Sequence, residues 1–491
     1  MYSPMRRTLK YLLLVALLGC FINDLLAQRP ATNIAFHPAK PPSDRYYLVQ
    51  HFQDKVIRVD SAIGNKGYIV FQNMKKKMPR GVYALLDKDG KVLTDFVVDD
   101  SQEFTIFADS TYSPKGMKVT GSAANQRMYD YLAHLNAANK EAKELKEQEK
   151  NGSKKEQKRA KERLEKLNKE MDTYQDDFLT ANKKDLFCQL VTMSRNPAPP
   201  DSLSNDTTKA YYFRQHYWDD MDFTFPGLTL TPQLFNKMNY FFFGVLYYQD
   251  ADTIIHYAFD ILHRVENDST MLRYFLDFIL PRYQKATKHI GWDQVYVELV
   301  KEFYLKGKCP WASEANLYAK KKEVEFLEQS LIGAHAQELW MADTNQSDDP
   351  KDWISSHRFP TKYVILWFWD PDCGHCKKQT PELAELYNKM VAEGNKRFEV
   401  YAVGYEADVE KWKQYVRENK LPFVNVGGTN VNIDYQAAYN VHSTPTMIIL
   451  NKDRDIIMNK TIPTDQINKF LDEYEKRHPS PSHEGGHHSS R

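Results

Sequence analysis

The sequence predicts a multidomain α+β protein: an N-terminal β-sandwich, a helical hairpin, an all-α domain and a C-terminal α/β domain. Three observations carry this. Short apolar runs separated by turn residues fill residues 46–120, which is strand-like patterning. From 121 to 330 apolar residues instead recur every three or four positions, the helix period. Beyond 331 strand-like and helix-like runs take turns, the pattern of a sheet covered on both faces. A chain of 491 residues has room for three or four domains at about 150 residues each.

Residues 1–27 read as a signal peptide. Arg6, Arg7 and Lys10 precede an apolar run from Tyr11 to Ile22, and Ala27 offers a small residue for cleavage. A rival cut precedes Cys20, because Leu17-Leu18-Gly19-Cys20 looks like a lipoprotein signal. The expected location is therefore the periplasm or cell envelope, with a lipid anchor through Cys20 as the alternative. Arg29 to Ser43, rich in proline and small residues, reads as a leader or linker.

The sandwich is expected over 28–120. Runs at 68–71, 82–86, 92–98 and 104–107 supply antiparallel strands, and Asp87-Lys88-Asp89-Gly90 is a hairpin turn. The hairpin is expected over 121–184: Met128, Leu132 and Leu135 on one helix, Leu164, Leu167 and Met171 on the other, with Asn151-Gly152-Ser153 as the tip. Its Lys/Glu run has mixed sign, which reads as a solvated face. The all-α domain is expected over 185–330, where Tyr240-Phe241-Phe242-Phe243 reads as core. A disordered tail with four histidines fills 478–491.

Lysine plus arginine number 66 against 65 acids, so nothing asks for nucleic acid as a partner. The five cysteines are too few for a disulfide-stapled scaffold. Cys188 and Cys309 either pair or remain buried thiols.

The chemistry gathers in the domain expected over 331–477. The run Tyr363 to Trp369 reads as a buried strand, Asp370-Pro371-Asp372 breaks it, and Cys373 and Cys376 open a helix with Leu383, Leu386, Tyr387 and Met390 on one side. A cysteine at a helix start faces unpaired N–H groups that favour its thiolate. Half of a zinc site is the competing reading, but no second ligand pair follows at useful spacing. No metal is expected, and no cofactor beyond a redox-active Cys373–Cys376 disulfide.

Cys373-Gly374-His375-Cys376 at a strand-to-helix turn, with Thr444-Pro445 before a strand, resembles the thioredoxin-like fold, closest to the periplasmic thiol–disulfide oxidoreductases of the TlpA and ResA type. The resemblance covers roughly 145 residues. It implies a cis proline at 445, a client-facing loop at Thr444 and Pro445, Cys373 as nucleophile and Cys376 as resolving thiol. Gly374 and His375 are expected to tune the redox poise. The implied partners are client protein thiols and disulfides, with a membrane thiol reductant as electron donor. The regions before this domain resemble the N-terminal domains of unknown function found in such exported proteins.

Three positions depart from the family pattern. Trp367 stands where many thioredoxins carry a buried aspartate, and Gln379 where the TlpA and ResA group often has glutamate. Asp372 replaces the aromatic residue before the first cysteine. A like charge at ~6 Å would disfavour the thiolate by one pKa unit at most. The expected function is an exported oxidoreductase that reduces or exchanges disulfides in client proteins. The alternative is a surface or periplasmic binding protein with an accessory redox domain. A peroxidase would want a lone cysteine after Pro-x-x-x-Thr, which is missing.

Overall fold

The computed structural model describes residues 30–40, 44–284, 289–405 and 408–479. The signal peptide expected over 1–27, and residues 480–491 of the expected tail, lie outside them. No helix among the described residues is long and apolar enough to cross a membrane. Packing divides the chain into two compact units, one reaching to Tyr248 and including Thr270–Tyr274, the other comprising Gln249–Ser269 and the chain from Phe275 onward. The helices of 185–330, expected as one domain, are therefore shared between two cores.

The first unit begins with eight strands: β1 Thr32–Pro38, β2 Arg45–Phe52, β3 Lys55–Ile63, β4 Ile69–Asn73, β5 Gly81–Leu86, β6 Val92–Val98, β7 Glu103–Ala108 and β8 Lys118–Thr120. They form two four-stranded sheets, in orders β4-β1-β7-β8 and β3-β2-β5-β6. Phe36 of one sheet meets Phe96 of the other edge to face at 5.3 Å, so the two share a core. The β5–β6 turn is held by Asp87, whose carboxylate accepts the N–H groups of Asp89 and Lys91. Gly90 there has φ +83°, which a glycine reaches without strain.

Two expectations are corrected here. Part of the linker read over Arg29–Ser43 is strand β1, because it pairs with β4 and β7 and so buries Ile34 and Phe36 fully. The strands are also not all antiparallel, since β1 runs parallel to β7.

Helices α1 Ala123–Asn151 and α2 Lys154–Ala181 form the hairpin. Ser122 caps α1 by accepting the N–H of Asn125, and Ser153 opens α2 in a reciprocal box with Glu156. Arg163 of α2 grips Glu141 of α1 at 2.6 Å. Helices α3 Leu186–Met193, α4 Asp206–His216 and α5 Pro232–Tyr240 follow. Phe241 and Phe242 are fully buried, while Tyr240 is exposed.

The second unit contains α6 Ala251–Val265, most of α7 Ser269–Gln284, α8 Trp292–Leu299 and α9 Glu314–Leu327. They precede a seven-stranded sheet of β9 Trp340–Asp343, β10 Ile354–Ser355, β11 Tyr363–Trp369, β12 Phe398–Gly404, β13 Val424–Val431, β14 Thr446–Leu450 and β15 Ile456–Met458. The order is β10-β9-β13-β12-β11-β14-β15. β11 is parallel to β12 and antiparallel to β14. Helices α10 Gly374–Ala392, α11 Val409–Glu418, α12 Tyr435–Ala438 and α13 Ile467–Arg477 complete it.

Every residue of β11 is buried, because both faces of the sheet are covered. Ile365, Trp367 and Trp369 join one core with residues of α10, α11 and α13. Val364, Leu366 and Phe368 join the other, with residues of α12. The central strand therefore ends with its last residue, Trp369, packed on the same side as the helix that the cysteines open. Gly404, paired with Trp369, lets Trp412 lie flat on β12: a Cβ at 404 would meet the indole at 2.9 Å.

Candidate functional site

The turn between β11 and α10 is built by Asp370. Its side chain accepts the N–H of Asp372 at 2.6 Å and its carbonyl accepts the N–H of Cys373 at 3.1 Å. Cys373 is thereby set as the cap of a 19-residue helix, with its sulfur accepting the N–H of Cys376 at 3.4 Å. Cys373 is half-buried and Cys376 fully buried, and both are free thiols.

The loop before β14 closes the other side. The Thr444–Pro445 peptide is cis, and the Cys373 thiol donates to the Thr444 carbonyl at 3.3 Å. The structure thus brings together Cys373, Cys376 and the Thr444–Pro445 loop.

The two thiols titrate in opposite directions. Burial pushes Cys373 upward, but hydrogen bonds from the Cys376 thiol, the Thr444 side chain and the N–H groups of Cys376 and His375 outweigh it, and its pKa lies below the ordinary value. Burial raises Cys376 to about 12, reinforced by its neighbour Cys373. The thiolate is therefore favoured at Cys373 and the thiol at Cys376.

His375 and Gly374 are exposed. His375 bears on the Cys373 sulfur through its backbone N–H. Asp372, expected as an exposed like charge beside Cys373, does not stand alone. Lys411 of α11 pairs with it at 3.0 Å, and both side chains are well exposed. Trp367 fills its position as core, its indole N–H donating to the buried Thr380 hydroxyl at 3.1 Å. Gln379 keeps a buried side-chain oxygen without a hydrogen-bond partner among the described residues.

Sequence reasoning missed Lys411, Tyr415 and Thr461. Lys411 and Tyr415 are four residues apart and share one face of α11. The first meets Asp372, and the second lies across Trp369 with ring centroids at 5.2 Å. The helical period of α11 was visible, but not which side chain its outer positions would find. Cys188 and Cys309 do not pair; each is a buried free thiol, with burial pushing Cys309 up to about 12.

Comparison with known proteins adds to this geometry. Residues 361–456 match a family described as thioredoxin-like. Residues 138–330 and 33–128 match two domains of unknown function, DUF5106 and DUF4369. The chain is 30% identical over 122 residues to the thiol-disulfide oxidoreductase ResA of Bacillus thuringiensis subsp. konkukian, covering 24% of this chain and 65% of that protein. It is 26% identical over 112 residues to the sporulation thiol-disulfide oxidoreductase A of Bacillus subtilis, covering 22% and 67%. The chain thus spans about two thirds of the length of these relatives. A crystal structure described as a domain of possible thiol-disulfide isomerase from Cytophaga hutchinsonii is 32% identical, with 30% of this chain and 95% of that one covered and a TM-score of 0.27.

Proposed function

The C-terminal part of this chain is a thioredoxin-like domain preceded by domains of unknown function, and from that premise we propose that the protein is an exported thiol–disulfide oxidoreductase acting on client proteins. One observation carries the reading: a low-pKa cysteine at a helix start, hydrogen-bonded both to a buried high-pKa partner and to the loop that faces it.

In the proposed cycle the Cys373 thiolate attacks one sulfur of a client disulfide. The client S–S bond breaks, a Cys373–client bond forms, and one client thiolate departs. Cys376 then attacks the Cys373 sulfur. It gives up its proton as it does so, to a departing client thiolate. The client gains two electrons and two protons, one from Cys376 and one from the solvent that took it up when Cys373 ionised, and the chain is left with a Cys373–Cys376 disulfide. A membrane thiol reductant that returns two electrons would restore the dithiol.

During the mixed-disulfide stage Cys373 has no proton to donate, so the Thr444 carbonyl becomes free to accept an N–H from an extended client backbone. Export follows from the expected signal peptide and suits the pair, since an oxidising compartment supplies disulfides to act on.

The experiment is insulin reduction by the full chain, with the chain re-reduced by a dithiol. Turnover that vanishes in Cys373→Ser supports the reading. A parent that reduces no disulfide under these conditions overturns it.

A further inference from the structure

Three residues after β15, Asn459-Lys460-Thr461, connect the helices to the thiol site. Asn459 donates to the Asp293 carboxylate at 2.8 Å and to the Ser330 carbonyl at 3.0 Å. Lys460 lies 3.5 Å from the same Asp293 oxygen, in a pair whose side chains are 13% and 18% exposed. Thr461 turns to the loop: its hydroxyl donates to the Pro445 carbonyl at 2.9 Å and accepts the Met447 N–H at 3.1 Å. Asp293 sits in the first turn of α8, outside the thioredoxin-like segment. A second contact reaches the same loop, as Phe326 of α9 packs against His442 with ring centroids at 6.2 Å.

We propose that Asp293 is a positioning residue for the thiol site: through Asn459, Lys460 and Thr461 it holds the Thr444–Pro445 loop against Cys373, so the helical region sets how the site meets an extended, disulfide-bearing peptide. This rests on the reading of Cys373 as nucleophile and of the loop as client-facing. The carboxylate is little exposed and shared by a lysine and an amide, so its partners have few alternative placements. Thr461 engages the Pro445 carbonyl, and the Thr444 carbonyl is the loop acceptor that Cys373 meets. A small disulfide needs only the sulfur. A peptide needs the loop as well.

The test compares the full chain with Thr461→Val, Thr461→Ser, Asp293→Asn and Asp293→Ala. Reduction is measured on glutathione disulfide and on a synthetic octapeptide closed by one disulfide, and the pH profile of Cys373 alkylation by iodoacetamide is recorded beside each. In Thr461→Val and Asp293→Ala, KM for the peptide should rise about tenfold while KM for glutathione disulfide changes little. The alkylation midpoint should move up toward that of an ordinary cysteine. Thr461→Ser should behave as the parent, and Asp293→Asn should fall between. Thr461→Val keeps the shape of the side chain, so it decides the matter if Asp293→Ala fails to fold. A valine variant with parental KM values and a parental pH profile overturns the proposal, as does an equal rise in both KM values. If the parent reduces neither substrate, the functional reading fails, and the alkylation profiles alone judge the positioning.

Discussion

The Cys373 sulfur and the Thr444 carbonyl oxygen are 3.3 Å apart although 71 residues separate them in the chain. Two further sequence-distant side chains support this meeting: Lys411 pairs with Asp372 beside the sulfur, and Thr461 anchors the Pro445 carbonyl behind the loop.

The order of the two cysteines predicts which variant traps a client. Cys376→Ser should accumulate mixed disulfides, since the nucleophile is intact and nothing resolves the intermediate. Cys373→Ser should accumulate none and be inactive. Non-reducing gels of both variants after exposure to envelope proteins decide this, and equal trapping would refute the assignment.

Alkylation should separate the two thiols by pH. The reactive species is the thiolate, so the Cys373 rate climbs as pH rises through its lowered pKa and levels off earlier than for an ordinary thiol. Cys376, pushed up to about 12 and fully buried, should stay unmodified from pH 6 to 9 until the chain is unfolded. Lys411→Ala would leave Asp372 unpaired and shift the Cys373 profile upward, more at low salt than at high. Mass spectrometry of tryptic peptides reads all three effects.

The dipeptide between the cysteines, Gly374-His375, should set the redox poise. Proline at 375 would remove the backbone N–H that supports the Cys373 thiolate, and a less stabilised reduced form makes the disulfide a weaker oxidant. The pair is expected between the reference potentials of thioredoxin, about −270 mV, and disulfide isomerase, about −180 mV. His375→Pro should be more reducing by tens of millivolts, where 30 mV is about 1.4 kcal/mol for a two-electron couple. Titration of the full chain in glutathione buffers checks this. An unchanged or raised potential would make His375 a spacer.

Stability around the site should depend on the fit of Trp412 over β12. Gly404→Ala places a methyl 2.9 Å from the indole and should cost about 1–3 kcal/mol through overpacking. Trp412→Ala empties a fully buried site and should cost about 3–5 kcal/mol. Urea unfolding monitored by circular dichroism would show the two effects, and a silent Gly404→Ala would mean the indole can shift aside.

Much of the site was readable from local pattern. A buried strand, a break, two cysteines and a helix period lie within 30 residues, and Thr444-Pro445 stands directly before β14. What escaped depends on tertiary meeting. Lys411 is one of many surface lysines until α11 brings it to Asp372, and Asp293 is one acid among many until β15 ends beside it. The strand β1 escaped for another reason: Ile34-Ala35-Phe36 is too short a run to outweigh its prolines, and only pairing with β4 and β7 makes it a strand. The split of the helices between two cores has no local signal, because their apolar faces look alike whichever core they join.

Trp367, Trp369 and Trp412 are buried in the same core as Cys376. Disulfides quench nearby indole emission more strongly than thiols do, so closure of the Cys373–Cys376 pair is expected to register in these indoles. Their fluorescence should brighten as Cys373 and Cys376 are reduced and dim as they close. Electron delivery and client turnover could then be followed in real time, without a label.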